Sequence, residues 1–234
     1  LSMKEPYTLL WKNVHKVHSI SNYLFEKAVG LGLAANTSHA IITPAVQINR
    51  FKPNTGLRKG NRVLFVSRLH WIKGIEYALQ AIAGVHQDLK TTVVGSGEDT
   101  ERLLFTAHQL GISKKTNFVG KKNVQEVVDL YKEHDLFIQF SHQEGFCNAV
   151  LEAQSAGLLC IVSDADGLSE NVLHGETGWV VPKRDVKALT ETIEMVLNLP
   201  EEQKQKVRRT AMERVKNKFS LEKQRKEFVD FYTA

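Results

Sequence analysis

Two carboxylates flank the start of a predicted helix in the segment 141–153. A buried strand ends at Phe140, a polar loop carries Glu144, a helix begins near Cys147, and Glu152 lies two turns into that helix. The free backbone N–H groups and the positive end of the helix dipole form an anion site between the two carboxylates. Carboxylates repel phosphate and accept hydrogen bonds from hydroxyl groups. The pattern therefore indicates a ligand with phosphates in the middle and hydroxyls at both ends, which describes a nucleotide sugar.

A second loop supplies two cations five residues apart. Arg68 and Lys73 lie between a predicted buried strand and the start of the next helix. The planar fork of Arg and the mobile point charge of Lys together suit a diphosphate. Taken alone, the two are better explained as solvated surface cations, so their interpretation depends on the two glutamates.

A third loop is rich in glycine. The segment 94–100 begins like a dinucleotide-binding fingerprint with Gly95 and Gly97, but Thr100 stands where the third glycine is needed. No glycine-rich turn follows the first strand of the predicted sheet either, so a nicotinamide-dependent dehydrogenase is disfavoured. We expect Gly95 and Gly97 to let the backbone turn tightly beside a ligand.

The composition is that of an ordinary globular protein. With 42% hydrophobic and 24% charged residues, the 234-residue chain is not of the disordered, collagen-like or coiled-coil class. Its longest apolar run, 156–162, is far shorter than the ~20 residues that span a bilayer, and residues 1–20 do not resemble a signal peptide. Cys147 and Cys160 provide neither a disulfide framework nor metal-site spacing. We therefore expect a cytoplasmic protein.

The excess positive charge is concentrated at the C-terminus. Residues 200–234 carry ten Lys or Arg and six Asp or Glu, so their balance is +4; of the totals of 31 and 26, this leaves 21 and 20, or +1, for residues 1–199. Such a tail is compatible with an anionic lipid surface, although a solvated helix face of mixed sign is the simpler interpretation. Nucleic-acid binding is disfavoured, since no aromatic–basic pattern accompanies the charge.

The chain from residue 61 onward alternates short apolar runs with amphipathic stretches. Predicted strands lie at 63–66, 91–94, 116–119, 136–140, 159–162 and 178–181, and predicted helices at 74–86, 100–110, 124–133, 147–156, 168–173 and 186–197. Unbroken apolar strands are typical of a parallel sheet that helices cover on both faces. The pattern predicts an α/β fold with a Rossmann-like, doubly wound parallel sheet.

The two ends of the chain lie outside this pattern. Residues 7–15, 16–19, 22–30 and 40–44 read as helix, strand, helix and strand, and a linker follows at 49–56. This piece is too small to be stable alone and looks like the end of a preceding domain. Residues 200–218 and 221–233 are predicted helices, with Ser220 placed to cap the second.

These residues carry a resemblance to a known family. Glu144 and Glu152 form the E-x7-E motif of retaining GT-B glycosyltransferases, and the chain resembles glycosyltransferase family 4. The match also runs through Ser67-Arg68, Lys73-Gly74, 94–98, Val119-Gly120, 135–140, 144–157, Glu170 and 175–178, and it covers essentially all of residues 50–234. It implies the C-terminal half of a GT-B fold. Residues 1–50 would then be the remnant of the N-terminal domain with the linker, 51–218 the nucleotide-sugar-binding domain, and 219–234 a helix that packs back toward the N-terminal domain.

The resemblance also implies a role for each matching residue. Arg68, Lys73 and Glu144 would be catalytic, because the two cations hold the donor diphosphate and Glu144 meets the sugar hydroxyls. Glu152 would meet the ribose hydroxyls. The other implied donor-binding residues are Gly95, Gly97, Gly120, Lys121, Gly145, Phe146, Cys147, Asn148, Ala149, Val150 and Glu170, the last of which matches the acidic residue of the family's Gly-Gly-x-x-Glu loop.

The implied reaction transfers a hexosyl group from a UDP-, GDP- or ADP-linked sugar to a glycan or lipid-linked acceptor, with retention of configuration. The leaving phosphate oxygen takes the acceptor's proton, so positioning and leaving-group electrostatics do most of the catalysis, without a cofactor or a metal ion. Asp164-Ala165-Asp166 looks like the metal-binding D-x-D of the other glycosyltransferase fold, but in this context we interpret it as a loop. Because most of the acceptor-binding domain is absent from these 234 residues, we expect the chain alone to bind donor weakly and to transfer nothing.

Departures from the family pattern leave alternatives open. Asp166 replaces the first Gly of the Gly-Gly-x-x-Glu loop, which adds a carboxylate near the sugar, and Cys147 stands where the family commonly has a small residue. Packing explains Cys147 better than a reactive thiol does. The main alternative function is a non-catalytic nucleotide-binding module, against which the intact set of two cations and two glutamates argues. The basic tail would also favour the inner face of a membrane that carries a lipid-linked acceptor.

Overall fold

The computed structural model describes residues 4–53 and 60–233. In chain order its elements are α1 Lys4–Trp11, β1 Lys16–Ser19, α2 Asn22–Gly30, β2 Ser38–Ile41, β3 Arg62–Val66, α3 Ile75–Gly84, β4 Lys90–Val94, α4 Thr100–Gln109, β5 Thr116–Gly120, α5 Val124–Glu133, β6 Leu136–Gln139, α6 Asn148–Ser155, β7 Leu159–Ser163, β8 Trp179–Val181, α7 Val186–Asn198, α8 Glu201–Lys218 and α9 Leu221–Thr233. Residues 54–56 of the predicted linker lie outside the described residues.

Six parallel strands form the main sheet, in the order β5-β4-β3-β6-β7-β8. The first of them in the sequence, β3, is central, and the later strands extend the sheet first to one side and then to the other. The direction of extension reverses between β3 and β6, the position at which doubly wound sheets bind their ligands. The predicted α/β fold with a Rossmann-like, doubly wound parallel sheet is confirmed.

Both faces of this sheet are buried. Val63 and Phe65 of β3 pack in one hydrophobic core with Leu79 of α3, whereas Leu64, which lies between them, packs in a second core with Val150 of α6. Successive side chains of a strand point to opposite faces. A strand that is covered on both faces therefore needs an unbroken apolar run, which is why these strands could be predicted from the sequence.

The N-terminal segment forms a separate, two-stranded parallel sheet from β1 and β2. Helix α9, from the opposite end of the chain, packs against it. Lys16 Nζ donates a hydrogen bond to the backbone oxygen of Phe231, and Gln224 Nε2 donates to the backbone oxygen of Thr43 at 2.8 Å. Ser220 Oγ accepts a hydrogen bond from the backbone N–H of Lys223 at 3.3 Å, so it caps α9 as predicted.

Several predicted elements differ from the structure. The helix predicted at 7–15 lies at Lys4–Trp11, and the strand predicted at 40–44 lies at Ser38–Ile41. The helix predicted at 168–173 is a 3-10 segment, Asp166–Asn171. Arg214 binds the backbone oxygens of Glu170 and Asn171 at the end of this segment. The helix predicted at 74–86 begins one residue later, at Ile75, after a 3-10 turn at Trp71–Lys73. Gly74 separates the two because its φ is +60° and a Cβ there would lie 2.0 Å from the backbone oxygen of Phe140.

The described part of the chain has no helix that is both long and apolar enough to cross a bilayer. Peripheral association through the basic tail stays a prediction.

Candidate active site

The two loops at the reversal point of the sheet bring Lys73 and Glu144 together. Lys73 follows β3 and Glu144 follows β6, which is the neighbouring strand, and Lys73 Nζ lies 2.5 Å from Glu144 Oε2. Both side chains are mostly shielded from solvent, with 18% and 15% of their surfaces exposed. The loops are also joined through the backbone, since the N–H of His142 donates to the oxygen of Ile72 at 2.7 Å. The pair is therefore held by fixed backbone on both sides.

Arg68 lies on the same loop as Lys73 but is exposed. Its guanidinium has no hydrogen-bond or ion-pair partner in the segments 4–53 and 60–233. Lys73 is paired with Glu144, whereas the described residues take none of the donors of the Arg68 guanidinium. An unpaired guanidinium beside a paired ammonium suits a ligand that carries more than one negative oxygen.

Glu152 lies on α6, eight residues after Glu144, and its carboxylate is largely desolvated. Burial raises the pKa of Glu152, and the hydroxyl of Tyr131, which donates to Glu152 Oε2 at 3.1 Å, offsets part of that rise. The same hydroxyl lies 3.2 Å from the backbone oxygen of Ala149. Tyr131 therefore fixes the position of a carboxylate that the fold does not neutralise with a cation.

The start of α6 offers fewer free amides than the sequence suggested. The N–H of Cys147 already donates to Asn171 Oδ1 at 3.1 Å, while the side chain of Asn148 is exposed. Among the residues that the structure describes, no side-chain hydrogen bond caps the helix, so its first turn remains a site for an anion. Burial raises the pKa of the Cys147 thiol to about 12, which favours the packing interpretation of this residue over a reactive thiol.

The predicted glycines of the third loop let it lie directly on the loop that carries Arg68. A Cβ at Gly95 would lie 1.8 Å from the backbone oxygen of Ser67, and one at Gly97 would lie 2.1 Å from that of Leu69. Gly120 accepts a hydrogen bond from the N–H of Gly95 at 2.9 Å, and the neighbouring Lys121 is exposed. These glycines therefore determine how closely the loops can pack.

The sequence of the chain matches a known protein family. Residues 47–214 match the sequence profile described as glycosyl transferases group 1. The chain belongs to the glycosyl transferases group 1 family.

Other members of the glycosyl transferases group 1 family and solved structures show how far the likeness extends. The chain is 33% identical over 159 residues to the capsular polysaccharide biosynthesis glycosyltransferase CapM of Staphylococcus aureus, which covers 67% of this chain and 41% of CapM. It is 32% identical over 152 residues to a glycogen synthase of Mycobacterium tuberculosis, which covers 64% and 36% of the two chains. The chain therefore spans about two fifths of the length of these curated relatives.

The likeness to solved structures identifies the fold. Anabaena HepE, in complex with UDP and glucose, superposes with a TM-score of 0.89 at 19% identity, covering 99% of this chain and 66% of HepE. At this identity the comparison shows the architecture alone, and it agrees with the implied C-terminal half of a GT-B fold.

The side chain of Glu170 in this group 1 chain contacts the N-terminal segment. Its carboxylate accepts hydrogen bonds from Asn22 and Tyr23 at the start of α2. Asp164 is likewise engaged, since Oδ1 accepts from the N–H of Lys183 at 2.8 Å. Within the described residues no three His, Cys, Asp or Glu side chains converge to hold a metal ion, and the metal-independent reaction stays a prediction.

Sequence reasoning missed three residues that support the site. They are Tyr131, which binds Glu152, Asn171, which binds Cys147, and Arg214, which holds the backbone at Glu170 and Asn171. Tyr131 belongs to the apolar face of α5, so the sequence pattern predicts a core residue and not a site residue. Asn171 and Arg214 reach their partners across the fold, so only the adjacency of Asn171 to Glu170 could have drawn attention to it.

The raised pKa of Glu152 predicts a stability effect with a defined pH dependence. A carboxyl whose folded-state pKa is raised stabilises the fold below the usual Glu pKa of 4.5 and loses that contribution as pH rises through the folded-state pKa. Glu152→Gln is therefore expected to raise the thermal midpoint at pH 7 and to leave it nearly unchanged at pH 4. Thermal unfolding followed by circular dichroism at both pH values checks this, with exposed Glu213→Gln as the control. A variant less stable than wild type at pH 7 contradicts the prediction.

Proposed function

We propose that the chain is the donor-binding half of a retaining, family 4 enzyme that transfers a hexosyl group from a nucleotide-diphosphate sugar to a glycan or lipid-linked acceptor. The observation that carries the proposal is the Lys73–Glu144 pair at the reversal point of the sheet, with the exposed Arg68 on the same loop as Lys73. This is where an open α/β sheet binds ligands, and the pair combines a phosphate-binding cation with a hydroxyl-binding carboxylate.

The charges support a departing diphosphate. Arg68 and Lys73 would stabilise the negative charge that grows on the leaving nucleotide, together with the uncapped start of α6. Lys73 has three N–H donors, so it can bind a phosphate oxygen and keep its bond to Glu144. The protein supplies positioning and electrostatics, and the leaving phosphate oxygen would accept the proton of the acceptor hydroxyl.

The two glutamates would hold the two ends of the donor. Glu144, fixed by Lys73 and by Ser141 Oγ at 3.4 Å, would accept hydrogen bonds from the sugar. Glu152 would accept them from the ribose. Because burial raises the pKa of Glu152, donor binding should weaken on acidification at a higher pH than an ordinary glutamate would give.

The relatives indicate which ligands to test. HepE was solved with UDP and glucose, and CapM is named for capsular polysaccharide biosynthesis. We propose that UDP, GDP or ADP carries the donor sugar, and that a further N-terminal domain of the complete enzyme binds the acceptor. The isolated chain would then bind donor weakly and transfer nothing.

Calorimetry tests the donor site directly. We expect UDP, GDP or ADP, or one of their glucose conjugates, to bind the 234-residue chain with a chelator present. Arg68→Ala should weaken that binding about 10- to 100-fold, since a hydrogen bond to a charged group contributes about 1.5–3 kcal/mol. Lys90→Ala is the matched control, because Lys90 is an exposed cation at the opposite end of the sheet. If none of the nucleotides binds either the chain or the complete protein, the donor site is wrong.

A further inference from the structure

The N-terminus of α2 is held by a side chain from the donor-binding domain. Glu170 Oε2 accepts hydrogen bonds from the backbone N–H and from Nδ2 of Asn22, both at 3.0 Å, and Oε1 accepts from the N–H of Tyr23 at 2.9 Å. Ser21 satisfies the next two N–H groups of the helix. The N–H groups of Asn22, Tyr23 and Leu24, which have no partner within the helix, are therefore all bonded, and an anionic carboxylate is favoured there by the helix dipole.

The backbone of Glu170 is in turn fixed to the E-x7-E segment. The side chain of the next residue, Asn171, accepts from the N–H of Cys147 at 3.1 Å and donates to its oxygen at 3.0 Å. Arg214 Nη2 donates to the backbone oxygen of Glu170 at 2.7 Å. Hydrogen bonds thus connect α2 to Glu170, and others connect the next residue, Asn171, to Cys147, which lies three residues beyond Glu144.

The backbone around Gly167 is closely packed beside this contact. A Cβ at Gly167 would lie 2.1 Å from the backbone oxygen of Gly145 and 2.7 Å from Ser21 Oγ. Close to this contact, the carboxylate of Asp166 raises the pKa of the Tyr23 hydroxyl. Asp166 adopts φ +49°, a left-handed conformation that a residue other than glycine adopts at an energetic cost.

We propose that Glu170 is a domain-positioning residue: by capping α2 it sets the separation between the N-terminal segment and the Glu144–Cys147 loop, and it does not bind the donor. The inference rests on the proposed function insofar as that separation is the width of the reaction cleft. Both Glu170 carboxylate oxygens accept hydrogen bonds from α2, which occupy three of the about four acceptor sites of the carboxylate.

Hydrogen–deuterium exchange of the 234-residue chain tests the contact without any nucleotide. In Glu170→Gln, one carboxylate oxygen is replaced by an NH₂ group that cannot accept, and the negative charge is lost. We expect the amides of Asn22 and Tyr23 to exchange about ten-fold faster, with the thermal midpoint little changed. Glu176→Gln is the matched control, because Glu176 is exposed and lies six residues further along the same region.

The same variants separate positioning from donor binding. Calorimetry with UDP, GDP, ADP and their glucose conjugates should give Glu170→Gln the affinity of wild type, while Glu152→Gln binds more weakly. In the complete enzyme, Glu170→Gln should lower kcat and leave the donor KM within about two-fold.

The outcomes are distinguishable. Unchanged exchange at Asn22 and Tyr23, or a loss of nucleotide-sugar affinity in Glu170→Gln equal to that in Glu152→Gln, overturns the proposal. If wild type binds no nucleotide, the proposed function fails, whereas the positioning contact is still decided by the exchange rates.

Discussion

Replacing Lys73 with alanine should lower sugar transfer by the complete enzyme about 10²–10³-fold, the range measured when one charge-stabilising group is removed from a catalytic site. Two effects act in the same direction. The ammonium that would stabilise the departing phosphate is lost, and Glu144, with 15% of its side chain exposed, keeps its negative charge without its 2.5 Å partner. Initial rates with saturating donor, compared with wild type, measure the effect.

The Lys73→Ala result also separates the two functional hypotheses. Lys90→Ala removes a cation at the amino ends of the strands and should leave the rate unchanged. A non-catalytic nucleotide-binding module predicts that transfer, contributed by another protein, survives Lys73→Ala and Arg68→Ala alike. Full activity in both variants would therefore refute the catalytic assignment.

Gly95→Ala should destabilise the fold by about 2–5 kcal/mol, the sum of a left-handed backbone and an overpacked contact. Gly95 has φ +134°, and its Cβ would lie 1.8 Å from the backbone oxygen of Ser67. That oxygen belongs to the loop that carries Arg68, so any relief would displace the predicted diphosphate site. Chemical denaturation measures the loss, which is a large fraction of the ~5–15 kcal/mol that stabilises a typical domain.

Gly111→Ala is the control that separates the steric contribution from the backbone contribution to the loss of stability. Gly111 also has a positive φ, +72°, but a Cβ there would meet nothing within 4 Å. It should cost only the ~1–2 kcal/mol of a left-handed residue. Equal losses at Gly95 and Gly111 would show that the close approach to Ser67 is not a constraint.

The sheet could be predicted because the burial of each strand is visible in the residues of that strand alone. Strands such as β6 and β7 are buried on both faces and therefore appear as unbroken apolar runs. The capped start of α9 was equally readable, since Ser220 is adjacent to the helix that it caps. The positions of Arg68, Lys73 and Glu144 at one edge followed from the rule for the carboxyl ends of parallel strands.

What the sequence did not reveal depends on contacts between distant residues. The 3-10 segment Asp166–Asn171 ends where Arg214, more than forty residues later, binds the backbone oxygens of Glu170 and Asn171. The use of the Cys147 amide by Asn171, and of the Glu170 carboxylate by α2, is invisible in a pattern of residue types. Each of these contacts concerns a polar group that hydrophobic periodicity does not describe.

The packing of α9 on β1 has a consequence for synthesis on the ribosome. Lys16 and Phe231 are 215 positions apart, so the first strand is made long before the helix that packs against it. At about 5–20 residues per second, that delay is on the order of 10–40 seconds, far longer than the elementary steps of folding. The surface of the N-terminal sheet that contacts α9 therefore stays exposed to solvent until α9 has been synthesised.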